Sequence, residues 1–341
     1  MKLKNGGLRR RINSTGRHPA GCLKKSHSDF AEPLTSRKQT LKVYVVKFIQ
    51  LCYNELNYIK GGFLLALKVY TDKFMKYRFL LRELVVKRIK LQYRSSVLGV
   101  FWTFLQPLLT MIVLTFVFSS VFGKNSASVV NYPVFLLSGR LLYDFYSQST
   151  KRAMKSIRGN ASIIKKVYVP KYIYPLSVVI STFVTFIISL SVLALVIAFF
   201  NIIKKDPVPV TPAMFFVIVP ILILFVMCLG IGMLLATLDV FFKDVENIYD
   251  VFCTLLFYGT PIVYTLDKLN FAENSWQISL LKINPLYGII DMFRAAILHG
   301  NEFMAYLDIN SLIYCSVFAV VMLVTGIFLF YKFQDKFILH I

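Results

Sequence analysis

Arg140 and Asp144 stand four residues apart, one helical turn, in a stretch from 132 to 150 that holds no other charged side chain. Ionisable residues inside an apolar run are costly to bury and mark either a polar path or an internal i,i+4 ion pair. The residues alone leave both readings open. Other chemistries are poorly supplied. No GxxxxGK[ST] stretch occurs, so this chain does not cradle a nucleoside triphosphate in the usual way. His18, His27, His299 and His340 lie far apart, and the five cysteines, Cys22, Cys52, Cys228, Cys253 and Cys315, form no CxxC pair. No metal site, disulfide framework or catalytic triad is expected, and the cysteines read as small apolar residues. Asp239, Asp244, Glu246 and Asp250 are a thin set of carboxylates for an enzyme at a membrane face, but the enzyme reading keeps them as its candidates.

The elements that must hold these residues are set by apolar runs. Of 341 residues, 57% are hydrophobic and 16% charged. Residues 100–122, 172–203, 207–238 and 309–331 contain no Asp, Glu, Lys or Arg, and each is long enough for a helix to cross about 30 Å of hydrocarbon. Residues 132–150 and 251–266 are weaker runs. Counting both puts 32 of the 39 Lys and Arg on one side, the cytoplasmic side if both ends lie there. The fold expected is therefore an all-α integral membrane protein with six transmembrane helices. The net charge of +22 serves topology and anionic lipid rather than nucleic acid, since no base-reading module accompanies it.

Residues 1–42 read as a disordered basic tail, residues 43–98 as cytoplasmic and interfacial helices, and residues 99–338 as the six-helix domain. From Tyr77 to Gln92 charges recur at steps of three to five, opposite Leu81, Leu84, Val85 and Ile89. That pattern predicts an amphipathic interfacial helix carrying Arg82, Glu83, Lys87 and Arg94, with Glu83 and Lys87 spaced to pair. Ser95, Ser96 and Gly99 then break it. In the basic loop 151–171, Asn160 can cap a short helix over the apolar run 161–167, which Pro170 ends. Acidic Asp244, Glu246 and Asp250 are expected to be solvated or to pair with Lys165 and Lys166. Beyond residue 267, Asn284 can cap a helix starting at Pro285 and ended by Gly300, with Leu286, Ile289, Ile290, Phe293 and Ile297 forming an apolar stripe. Asp291 and Arg294, three apart, are spaced to pair. Such a helix either dips into the outer leaflet or lies flat on its surface.

Tyr93-Arg94-Ser95-Ser96-Val97-Leu98-Gly99-Val100-Phe101-Trp102, then Gln106-Pro107-Leu108 and Val117-Phe118-Ser119-Ser120-Val121-Phe122, resemble the opening of the permease subunits of type-2 ABC exporters of polysaccharides, the O-antigen, capsule and teichoic acid export family. The stretch NASIIKKVYVPKYIYP (160–175) resembles that family's loop between helices two and three, and Phe241-Phe242-Lys243-Asp244-Val245 its loop after helix four. Thr260-Pro261-Ile262-Val263-Tyr264, and Asn284-Pro285 through Arg294, resemble its fifth helix and outer gate segment. Together they cover about residues 77–337. Lys243 departs from the expected arginine, keeping the charge without the guanidinium fork, and the first 70 or so residues lie outside the pattern.

The resemblance implies a permease that binds no cofactor itself, with ATP and Mg on a separate ABC ATP-binding subunit, and two permeases, a homodimer, working with two ATPases. It implies a multi-pass protein of the cytoplasmic membrane whose substrate is a lipid-linked glycan such as a teichoic acid, O-antigen or capsular polymer. Asn160, Ile163, Ile164, Lys165 and Lys166 would then form the helix that couples to the ATPase. Asn284, Pro285, Leu286, Phe293 and Arg294 would belong to re-entrant outer gate helices. A sugar's C–H face stacks on aromatic rings without tight register. Trp102, Tyr143, Phe145, Tyr146, Phe252, Phe257 and Tyr258 are accordingly candidate pore-lining rings, with Arg140 and Asp144, although interfacial belts account for most aromatics. The rivals are an ABC exporter of a drug or small lipid, and a membrane enzyme acting on lipid-linked sugars.

Overall fold

The computed structural model describes residues 63–94, 98–122, 131–167, 169–203, 208–209, 211–264, 281, 283–300 and 303–341. The basic tail 1–42 and the segment 43–62 lie outside them. The chain divides into two units, residues 1–75 and 76–341; of the first, only the opening turns of one helix are described.

Every regular element among the described residues is helical. Helix α1 (Phe63–Tyr93) is longer than the interfacial helix expected. Leu81 is buried while Arg82, Glu83, Lys87, Lys90 and Arg94 face outward. No ion pair joins Glu83 to Lys87 among the described residues; at an exposed site such a pair contributes only a few tenths of a kcal/mol, roughly 0.3. Gly99, whose φ of 49° suits a residue without Cβ, stands just before α2 (Phe101–Phe122). Tyr93 and Thr103 clasp the two helices through their hydroxyls at 2.6 Å.

Helix α3 (Tyr132–Met154) runs into a single 3₁₀ turn (Arg158–Asn160) and the four-residue α4 (Ala161–Ile164). Helix α5 is Ile173–Ile203; after it a 3₁₀ segment (Pro212–Val217) leads into α6 (Ile218–Phe241). Then follow α7 (Val245–Gly259), α8 (Pro285–Leu298), α9 (Phe303–Tyr306), α10 (Ile309–Phe333) and α11 (Phe337–His340).

Among the described residues, four helices are long and apolar enough to cross a membrane: Phe101–Phe118, Ile173–Ile203, Pro212–Phe241 and Ile309–His340. They match the four uncharged runs. The two weaker runs are also helical, with different limits. The first extends to Met154 and takes in Lys151 and Arg152. The second begins at Val245 instead of Val251 and stops at Gly259, because its charged first turns find partners on α3 and Pro261 cannot continue a helix.

Helix α3 is the centre of the bundle, packed on α5, α6, α7 and α8 and buried along most of its length. Serine and threonine hydroxyls along it and α5 return hydrogen bonds to carbonyls one turn back, as where no water is available: Thr150 to Tyr146, Ser177 to Tyr174, Thr182 to Val178. Helices α6 and α10 cross at Gly230 and Gly326, where each backbone fills the space a Cβ on the other would need.

Candidate functional site

The candidate residues fall into three groups, one at each end of α3 and one between. Phe135 near its start and Lys155 just past its end lie twenty residues, roughly 30 Å, apart along the axis.

The first group lies where α3 ends and the loop to α5 begins. Lys151 meets Asp250 at 2.8 Å, Lys155 bonds Glu246, and Arg158 reaches both Asp239 (2.7 Å) and Glu246 (3.1 Å). Asp239, Glu246 and Asp250 therefore pair with Lys151, Lys155 and Arg158; of the two readings expected for Asp244, Glu246 and Asp250, a solvated face or pairing with Lys165 and Lys166, the pairing with those two lysines is corrected. The reason is distance along the loop: the cations on α3 and the 3₁₀ turn face α7, while Lys165 and Lys166 project outward beyond α4. The Lys155 ammonium holds the Glu246 carboxyl below the usual glutamate range. Asp239 is fully buried against Arg158.

On α4, Asn160 occupies the cap position, but its amide donates back to the Ser156 carbonyl at 2.6 Å and makes no side-chain cap bond. The preceding 3₁₀ turn leaves its backbone outside the extended geometry that a capping side chain needs. Ile164 turns inward to Ile157, Tyr174, Val240 and Phe337, whereas Ile163, Lys165, Lys166 and Val167 are exposed. The free side of this loop thus offers an apolar spot edged by two cations.

The middle group joins α3 to α7. Arg140 and Asp144 form an ion pair at 2.9 Å, both about one-third exposed, and the guanidinium lies 5.0 Å over the ring of Phe257. Tyr143 stacks at a tilt on the same ring at 5.1 Å and donates to the Cys253 carbonyl at 2.6 Å; Tyr249 donates to Thr150 at 2.8 Å. The structure brings Arg140, Tyr143, Asp144 and Phe257 together. Phe145 lies instead in an aromatic cluster with Phe183 and Phe186, and Tyr143, Phe145 and Tyr146 are buried and offer no open ring face. Trp102, Phe252 and Tyr258 are exposed. Phe252 and Tyr258 belong to a stripe along α7 with Ile248, Val251 and Leu255, a helical spacing of bare apolar side chains.

The third group lies at the opposite end. Asn284 caps α8 through Oδ1 accepting from the Leu286 N–H at 3.0 Å, with Pro285 at the first position and Gly300 at φ 50° past the end, as the sequence predicts. Arg294 does not pair with Asp291. Its guanidinium is buried and donates to the carbonyls of Pro261 (2.7 Å), Ile262 (2.8 Å) and Phe135 (3.1 Å), while lying 3.5 Å over the Phe135 ring. Gly139 leaves the slot that holds it; a Cβ there would overlap the guanidinium. Asn284 also donates to Thr260 at 2.9 Å, and Tyr132 donates to Val263 at 2.9 Å. The turn 260–263 is therefore pinned at each successive residue. Leu286 and Phe293 are buried with most of α8. Sequence reasoning missed this clamp, because its acceptors are backbone carbonyls that leave no mark in residue types.

A helical bundle with four helices, among the described residues, long and apolar enough to span a bilayer is that of a multi-pass membrane protein. The chain belongs to the ABC-2 type transporter family, whose model matches residues 80–298. It is 31% identical over 220 residues to the O-antigen export system permease protein RfbA of Myxococcus xanthus, covering 64% of this chain and 80% of that protein. It is 29% identical to a Klebsiella pneumoniae protein of the same name over 77% of this chain and 97% of the relative. It is 22% identical to the polysialic acid transport protein KpsM of Escherichia coli over 72% and 90% respectively.

Proposed function

We propose that this chain is the permease subunit of an ABC exporter that passes a polysaccharide, held on a lipid carrier, outward across the cytoplasmic membrane. The observation that carries the reading is the near end-to-end similarity to O-antigen export permeases, which covers 97% of one relative's length. A separate ABC ATPase, holding ATP and Mg, docks on the exposed side of α4 at Ile163, Lys165 and Lys166, and two permeases pair with two ATPases. Helices α3 and α7 cross with the four apolar spans, which gives six crossings and cytoplasmic termini. Helix α1 lies at the inner interface on its basic residues, following the tail 1–42. The polymer slides past Arg140, Asp144 and the exposed rings, and α8 dips into the outer leaflet and closes the exit between passages.

The test is deletion of the gene with complementation by the parent or by Ile163→Asp. Loss of surface polysaccharide that the parent restores, with polymer retained inside the cell, is expected. Unchanged surface polysaccharide together with altered drug sensitivity would move the cargo to small molecules.

A further inference from the structure

The coupling loop and α8 lie at opposite ends of the bundle, and transport requires that something join them. This inference rests on the permease reading. Helix α7 makes little apolar contact with the bundle on one whole side, since Ile248, Val251, Phe252, Leu255 and Tyr258 are bare. What holds it is a ladder of specific bonds to α3: Lys151 to Asp250, Tyr249 to Thr150, Tyr143 to the Cys253 carbonyl, and the Tyr143 and Arg140 contacts with Phe257. Rungs occur on every turn from residue 249 to residue 257, so the two helices are fixed against sliding.

Each end of this pair carries one arginine that joins it to a third element. At the α4 end, Arg158 belongs to the 3₁₀ turn that runs into α4 and grips both α6 at Asp239 and α7 at Glu246. At the other end, Arg294 belongs to α8 and grips both α3 at Phe135 and the turn following α7 at Pro261 and Ile262. Asn284 adds a second tie from the start of α8 to the last residue of that turn's entrance, Thr260. An unbroken series of bonded rigid pieces therefore runs from α4 to α8.

We propose that α3 and α7 act as one rigid rod that carries displacement of α4 to α8, with Arg158 and Arg294 as its positioning residues. Neither touches the cargo or the ATPase. Both act by keeping the rod engaged at its ends, which a planar guanidinium does by bonding two elements at once. Coupling of this kind is shown by bias transmitted between two states, not by adjacency.

The experiment places an environment-sensitive bimane fluorophore on Ile283→Cys, an exposed position beside the start of α8, in the full permease co-expressed and purified with its ATPase. Emission is compared between the nucleotide-free complex and the complex trapped with Mg–ADP–vanadate. A change on trapping is expected in the parent. It should vanish in Arg158→Ala and in Arg294→Lys, while ATP hydrolysis persists and export per ATP falls by about tenfold or more, within the usual range of coupling between sites. The variant Arg158→Lys, which keeps a cation against Asp239 and Glu246 but loses the planar fork, should recover part of the response, which guards against simple misfolding of the alanine variant. A response that survives in Arg158→Ala overturns the proposal, as does its absence in the parent complex when hydrolysis is intact. An error in the cargo assigned above would abolish polysaccharide export without altering the emission change, so the two failures are distinguishable.

Discussion

At Arg294 a full positive charge is surrounded by backbone carbonyls, with a benzene face behind it and no carboxylate bonded to it. Replacing it by Met would keep much of the volume but strand the Pro261 and Ile262 carbonyls in an apolar setting, while the Phe135 carbonyl keeps the Ser138 hydroxyl. We expect a loss of about 1–3 kcal/mol of stability, seen as a lower unfolding temperature of the detergent-solubilised protein. Gly139→Ala should produce a loss of the same kind, because its methyl would displace the guanidinium from those carbonyls. Equal unfolding temperatures for Gly139→Ala and the parent would show that the slot is slack. The contrast with Asn284 explains what a chain of letters reveals. An N-cap bonds a neighbour two residues on, so Asn284-Pro285 can be read locally. The partners of Arg294 lie 32, 33 and 159 residues away and are main-chain atoms, so Asp291 seemed the nearer match. Likewise the rings of Phe145 and Tyr146 read as candidates for an open path, and only packing reveals that they are inside.

Among the helices, α4 is the one where neighbouring residues should part company. Ile163 is exposed and Ile164 buried against Tyr174 and Phe337. Ile163→Asp should therefore leave protein levels unchanged and release the ATPase from membranes, whereas Ile164→Asp should lower the amount of folded protein. Identical behaviour of the two would remove α4 as the docking element. On α7, the Lys155 contact depresses the carboxyl of Glu246, so this acid stabilises the fold above its ordinary pKa, and that contribution is lost as pH falls through the lowered folded value. The stability difference between the parent and Glu246→Gln should be flat above about pH 5 and narrow below it, given an unperturbed glutamate near 4.3. A difference that instead shrinks toward alkaline pH would show that Glu246 is not stabilised as a carboxylate. The four long spans were legible because twenty or more uncharged residues admit few alternatives. The limits of α3 and α7 were not, since their charges are matched by each other across a gap of about a hundred residues, as in the Lys155 pair, 91 apart.

For the molecule as a whole, the orientation proposed makes opposite claims about two exposed positions. Lys166→Cys should react with a membrane-impermeant maleimide only after the cells are broken, and Met304→Cys should react in intact cells. Ser156 is buried and would be silent from either side. Reaction in the reverse order would invert the bundle and end the export model. How the molecule is made follows from the crossing of α6 and α10. Gly230 and Gly326 meet backbone against backbone, so the groove on α6 fits no side chain and stays open until α10 has left the ribosome. Every intervening element must wait in the bilayer with that seam unclosed, a period in which membrane proteases and insertion chaperones compete for the chain. A nascent polypeptide stopped before Ile309 should insert normally and then be degraded faster than one stopped after Phe333, which pulse–chase labelling would measure as a shorter half-life.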